Sequence, residues 1–221
     1  MQNDSIIILA WPEAMVAGAN SWYDKYFSTM GKYRVGHSAL ILVDHTSEKL
    51  FYFDNGRYHT PSGFGRIRSQ ETDPDIKIKS QLVLNRNKIV NISEILLEVK
   101  NKKACHGKGT LYASILNNVS FEKAFLFSNK MVSKGLVPYG PFVRRGTNCS
   151  RFVSKVMQES MSYFISNIRL KFPITLSPSP KRNVSIANKD FFIVKEGECK
   201  LIKRSFFSSY FKSIENELYS R

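Results

Sequence analysis

Between Pro138 and Val153 the chain passes from a loop punctuated by Gly140, Pro141 and Gly146 into the opening of a helix, and Cys149 falls in its first turn. Thr147 or Asn148 is placed to act as N-cap, with Phe152, Val153 and Val156 at helical spacing behind it. The unpaired amides and partial positive charge of a helix N-terminus favour a thiolate over a thiol. Arg144, Arg145 and Arg151 add positive charge nearby. Cys149 is therefore a candidate nucleophile, and the rest of the chain is read around this junction.

A nucleophile needs a base, and the chain holds four histidines: His37, His45, His59 and His106. The run Gly36-His37-Ser38-Ala39-Leu40-Ile41-Leu42-Val43 reads as a buried strand with His37 at its mouth. An imidazole near its reference pKa can take the thiol proton and return it to a leaving group. The competing reading is a buried cysteine beside a satisfied core histidine. Residues 33–44 and 49–54 form a predicted hairpin whose polar turn, His45 to Glu48, lies at the far end from His37. That excludes His45 from the site. The returning strand brings Asp54 back toward His37, where a polar group orienting the imidazole is needed. Its competing role is to cap the Asn55-Gly56 turn. In the Gly-containing stretch 58–75 and just before it, Arg57 and Arg66 are candidate clamps for a substrate carboxylate or phosphate. Solvated loop arginines are the commoner outcome. His59, beside Thr60 and Pro61, reads as an exposed turn. Trp22 is a candidate pocket residue, with core packing as its alternative.

Tyr139-Gly140, Gly146 and Asn148-Cys149-Ser150 together resemble the cysteine motif of NlpC-like cell-wall peptidases. In those enzymes Cys precedes His. Here Gly36-His37 comes first, an order similar to the circularly permuted branch that includes the YiiX-like hydrolases and the lecithin:retinol acyltransferase-like proteins. The whole chain also resembles a bacterial domain family with Trp-Pro near the start, Gly-His, Tyr-Phe-Asp-x-Gly-Arg-Tyr and Asn-Cys-Ser-Arg-Phe-Val. The resemblance implies an α+β, permuted papain-like fold, an antiparallel sheet packed against a helix carrying the cysteine at its N-terminus. It implies that Cys149 attacks an acyl carbon, His37 moves the proton, and a polar residue on the next strand, Asp54, orients His37. Tyr139 and Asn148 then border the oxyanion site, where the Cys149 amide is the natural donor. A thioester would form and break, with no cofactor. Two substrates compete: a peptide amide, as in a cell-wall peptide, and a lipid ester or acyl group.

At 221 residues the chain, 1–221, is most simply one domain with a substantial core. Cys105, Cys149 and Cys199 are far apart and odd in number, which gives neither a disulfide framework nor a zinc site, and no metal is expected at Cys105-His106. The apolar run Ile6 to Trp11 lacks a basic leader and a cleavage site, so the expectation is a cytoplasmic product, with export by a signal-independent route left open. The formal charge of +15 implies attraction to polyanions: an anionic polymer or a membrane surface. No phosphate loop or nucleic-acid motif is present. A catalytically silent basic binding module is thus the rival from another class. The sequence leaves the oligomeric state open.

The remaining stretches give a strand over 5–11, two strands within 77–99, and a short helix or strand at 111–116. They also give a helix over 120–134 capped by Ser120 and ended by Gly135, and the cysteine helix to about Ser160. Residues 164–176 suggest a short element, 177–183 a Pro- and Ser-rich loop, 191–203 a hairpin, and 206–221 a basic-aromatic amphipathic helix.

Overall fold

The computed structural model describes residues 4–14, 16–17, 32–33, 36–140, 143, 145–161 and 179–205. Among these, the backbone of the molecule is an eight-stranded sheet. In chain order its strands are β1 (Asp4–Trp11), β4 (His37–Asp44), β5 (Lys49–Gly56), β6 (Phe64–Ser69), β9 (Leu111–Val119), β10 (Leu136–Pro138), β11 (Phe191–Lys195) and β12 (Glu198–Ile202). Two-residue pairs, β2 (Val16–Ala17) with β3 (Lys32–Tyr33) and β7 (Leu84–Asn85) with β8 (Lys88–Ile89), stand apart from it. The strand order is β10-β6-β5-β4-β1-β9-β11-β12, and every pairing is antiparallel.

The central strands explain themselves chemically. A sheet with one wet face alternates apolar and polar residues. Ile6 to Trp11 and Ala39 to Val43 instead run apolar without a break and are wholly buried, so both faces of the sheet must be covered. On one face Ile6, Ile8, Leu40, Leu42 and Phe53 meet α2 (Phe121–Val132), α3 (Cys149–Ser160) and α4 (Pro180–Ala187). On the other, Ile7, Leu9, Ile41 and Tyr52 pack with Ile95, Leu96 and Val99 of α1 (Ile92–Asn101) and with Ile76, Ile78 and Leu82. The fold is α+β.

The hairpin of β4 and β5 closes through residues 45–48, and the helix over 121–132 is capped by the Ser120 hydroxyl, which accepts from the Lys123 amide. Gly135 follows with φ +65°. The 111–116 stretch is strand rather than helix. Two expectations are corrected. Residues 77–99 do not form two sheet strands. Only a two-residue hairpin forms around Arg86 and Asn87, both at positive φ, and Ile92 onward is helical because Ile92, Ile95, Leu96 and Val99 share one buried face. The Pro- and Ser-rich stretch also becomes helical from Pro180. Ser179 caps it by accepting from the Arg182 amide, and Pro180 stands at the first helical position, where its missing N–H leaves no gap. The expected elements at 164–176 and 206–221 lie outside the described residues, as does Trp22.

Candidate active site

Strand register assembles the site. Trp11 pairs with His37, Ala39 with Asp54, and Asp54 with Arg68. Side chains two apart along a strand share a face, so His37, Asp54 and Arg68 run diagonally across β4, β5 and β6 on one side of the sheet. Trp11 stacks on the imidazole, ring centres 5.7 Å apart. Gly36, at φ +73°, turns the chain into β4 where an added Cβ would lie 3.0 Å from backbone atoms of Trp11 and Pro12.

Cys149 arrives from the opposite face. It is the first residue of α3, and the helix is fixed there by Asn148, whose side-chain oxygen accepts from the Arg151 amide at 2.9 Å. Phe152, Val153, Val156 and Met157 bury the inner side of the helix. Asn183 of α4 donates to the Ser150 carbonyl at 2.9 Å and anchors the first turn. The thiol of Cys149 lies among the side chains of His37 and Tyr139 and the Ser38 amide, each of which favours its thiolate. Burial pushes the thiol pKa up. Those three partners, with the charge of His37, outweigh burial and hold it below its ordinary value.

His37 is buried, and burial favours the neutral ring. Hydrogen bonds and charge from Asp54 and Cys149 reverse that and raise its pKa from 6.5 to about 9. His37 Nε2 lies 3.4 Å from Asp54 Oδ2 and 3.4 Å from the Tyr58 hydroxyl. Asp54 is fully buried, which alone would raise its pKa. The hydrogen bonds from His37 and Arg68 and their charges drive it well below the usual carboxylate range. Arg68 binds it through two nitrogens, Nε to Oδ1 at 2.9 Å and Nη2 to Oδ2 at 2.6 Å. Tyr58 and Tyr52 donate their hydroxyls to Oδ2 at 2.9 and 3.2 Å. Asp54 is therefore held within the sheet rather than capping a turn.

Tyr139 lies beside the cysteine. Its amide donates to the Gly63 carbonyl, and residues 139 and 147 form a bridge that brings the loop back onto itself. Its ring crosses Gly65 so closely that an added Cβ would sit 2.5 Å from it. The Tyr139 hydroxyl lies close to the Cys149 amide and thiol, so the amide expected to serve as an oxyanion donor and the phenol share one neighbourhood. Arg57 lies over the Tyr139 ring, 5.3 Å from its centre. Arg66 points elsewhere: it is clamped to Asp73 at 2.7 and 2.6 Å and donates to the Tyr58 carbonyl at 3.0 Å. His59 is exposed with φ +53°. His45 sits in the far turn.

Sequence reasoning misses three neighbours of the site: Arg68, Tyr58 and Trp11. Tyr58 belongs to the Tyr-Phe-Asp-x-Gly-Arg-Tyr run, so its signal is present there. Arg68 becomes visible only once β6 is placed in register with β5. The 102–109 stretch walls this side: Arg68 donates to the Ala104 carbonyl, His106 stacks on Tyr58, and Gly107 admits the Trp11 ring where a Cβ would be 2.2 Å away. Cys105 is buried beneath, its thiol pushed up to about 12, chiefly by burial. Among the described residues, no group of three or more His, Cys, Asp or Glu side chains is arranged to hold a metal ion.

A protein-family model described as Type VI secretion system effector TseH-like matches residues 6–164. The chain belongs to the TseH-like family of type VI secretion system effectors. The crystal structure of the type VI secretion system effector TseH superposes with a TM-score of 0.61 at 16% identity, covering 91% of this chain and 99% of that one. At that identity the likeness concerns the fold, and it agrees with an α+β architecture. No curated protein sequence matches. TseH-like membership is consistent with the broad papain-like superfamily. It does not support the YiiX-like and lecithin:retinol acyltransferase-like branch that the motif order resembles. Among the described residues, no helix is long and apolar enough to cross a membrane.

Proposed function

We propose that this TseH-like chain is a cysteine-dependent hydrolase acting on an amide, with peptides of the bacterial cell wall as the substrate class. The observation that carries the reading is one cluster: Cys149 at a helix start, His37 beside it, and Asp54 Oδ2 3.4 Å from the imidazole Nε2. Cys149 Sγ attacks the carbonyl carbon. The carbonyl oxygen gathers charge at the helix start, beside the Cys149 amide and the Tyr139 hydroxyl. His37 gives its proton to the leaving nitrogen, and a thioester remains on Cys149. Water, relieved of a proton by His37, then attacks the thioester and frees the acid and the thiolate. Asp54 holds the imidazole in line and favours its charged form. With His37 before Cys149, the arrangement corresponds to a permuted papain-like site. Arg57, over Tyr139, is the substrate contact this geometry favours for a carboxylate near the scissile bond. Membership in a secretion-effector family fits export without an N-terminal signal.

The test is the pH dependence of Cys149 alkylation by iodoacetamide, in a background where Cys105 and Cys199 are alanine. Fast labelling well below the reference thiol pKa of about 8.5, slowed by His37→Ala, is the expected result. An ordinary thiol profile that ignores His37→Ala would sink the catalytic reading. A basic binding module predicts instead salt-sensitive binding to an anionic polymer that survives Cys149→Ala.

A further inference from the structure

We propose that Arg68 is a positioning residue that acts through Asp54. It fixes the carboxylate under His37 and, by competing for the same oxygen, keeps the imidazolium from being held too tightly to release its proton. The inference rests on reading Cys149 and His37 as nucleophile and base.

The geometry is unusual in one respect. Four donors converge on Asp54 Oδ2: Arg68 Nη2 at 2.6 Å, the Tyr58 hydroxyl at 2.9 Å, the Tyr52 hydroxyl at 3.2 Å and His37 Nε2 at 3.4 Å. A carboxylate oxygen has about two lone-pair sites to offer. The shortest contact belongs to Arg68 and the longest to His37, so the oxygen is committed first to the guanidinium. Charge-assisted N–H···O bonds run at about 2.7–2.9 Å when unopposed; His37 sits outside that range. Because both cations reach the same oxygen, Arg68 Nη2 and His37 Nε2 lie within about 6 Å of each other.

Arg68 is itself immobilised. Its side chain is 4% exposed, it donates to the Ala104 carbonyl at 2.9 Å, and its guanidinium lies 3.5 Å from the centre of the Tyr58 ring. That stacking holds the Tyr58 hydroxyl between Asp54 and His37. A guanidinium stays protonated at any working pH, so it supplies a fixed positive charge beside a base that must gain and lose one. A lone Asp54–His37 pair in a buried site would stabilise the imidazolium without opposition. Among the described residues, the groups that face His37 are Asp54 and Tyr58 from the β5 side and Cys149 from α3, with Arg68 and His106 behind them and Tyr139 beside the thiol. Of these, only Arg68 is a permanent cation.

The experiment is an NMR pH titration of the His37 ring in the full chain carrying Cys149→Ala. This background removes the thiolate, so the outcome does not depend on whether Cys149 is reactive. A unit charge within about 6 Å shifts a neighbour by up to roughly two pKa units at an effective dielectric near 20. Arg68→Met is therefore expected to raise the His37 pKa by about one unit or more, and Arg68→Lys, which keeps the charge, to change it by less than half of that. Tyr58→Phe removes a smaller competitor for Oδ2 and is expected to raise it by a few tenths; this variant carries the test if Arg68→Met does not fold. A His37 pKa that is unchanged or lower in the folded Arg68→Met or Tyr58→Phe protein overturns the proposal. With Cys149 restored, failure of the alkylation test alongside the expected His37 shifts would discard the hydrolase reading and leave the electrostatic role of Arg68 standing.

Discussion

Consider replacing Asp54 by Asn and Arg68 by Gln, singly and together. Asp54 is fully buried and Arg68 is 3% exposed, and the two are joined through both guanidinium nitrogens that face the carboxylate. Removing one member of such a pair leaves the other as an uncompensated buried charge, which destabilises by about 3–5 kcal/mol. Asp54→Asn also withdraws the carboxylate from Tyr52, Tyr58 and His37, so it belongs at the upper end. The double variant contains neither charge. Its expected loss is about that of one single variant, well short of the sum, giving a coupling energy on the order of 3 kcal/mol. A domain typically has about 5–15 kcal/mol of stability, so the variants remain measurable. Urea unfolding followed by far-ultraviolet circular dichroism supplies the midpoints, and an unchanged m-value certifies that the compared states are alike. Single losses below about 1 kcal/mol, or losses that add to within about 0.5 kcal/mol, would refute the view that this ion pair is dry and mutually dependent.

Two further outcomes follow from the same geometry. A His37 pKa raised to about 9 stabilises the fold below its unfolded value of 6.5 and loses that contribution as pH climbs through 9. The lowered Cys149 pKa has the opposite sign over an overlapping range, because the native thiol sheds its proton before the unfolded one does. The two contributions therefore oppose each other, and Cys149→Ala, which removes the one that rises with pH, should lose stability more steeply with rising pH above 6.5 than the wild type does; denaturant melts at several pH values decide it, and parallel profiles count against a lowered Cys149. Gly65→Ala would place a Cβ 2.5 Å from the Tyr139 ring and 2.9 Å from the Gly56 carbonyl, so a loss of about 1–3 kcal/mol is expected together with slower Cys149 alkylation near neutral pH as Tyr139 is displaced; wild-type labelling would show that Tyr139 does not set the thiol.

How much of the fold and the site is legible in the sequence depends on which signal each residue leaves. Cys149 and His37 stand at element boundaries, one after a capped loop and the other at the head of an apolar run, and boundaries are marked by composition. Asp54 follows from hairpin register, since a tight turn at 45–48 returns β5 alongside β4. Arg68 needs the next pairing too, across the longer connection of residues 57–63, and register there is set by packing that sequence does not display. The helix over 92–101 is concealed by its neighbours: Lys77 to Val90 alternates well enough to extend a strand pattern over Ile92, Ile95, Leu96 and Val99, although that spacing is helical. At 179–187 the Ser-Pro cap is visible, but a helix bearing Lys181, Arg182 and Asn183 carries too few apolar residues to announce itself. Its burial comes from Val184 and Ile186 against the sheet, and from the Ser114 hydroxyl bonding the Val184 carbonyl at 2.7 Å.

That late helix sets the order of events during synthesis. Pro180 closes over Gly36, and Asn183 secures the first turn behind Cys149, while β11 and β12 complete the sheet after it. A nascent chain therefore carries its histidine and its cysteine before the helix that braces their neighbours has been made. From the addition of Cys149 until Ala187 has been added, the thiol has no finished setting.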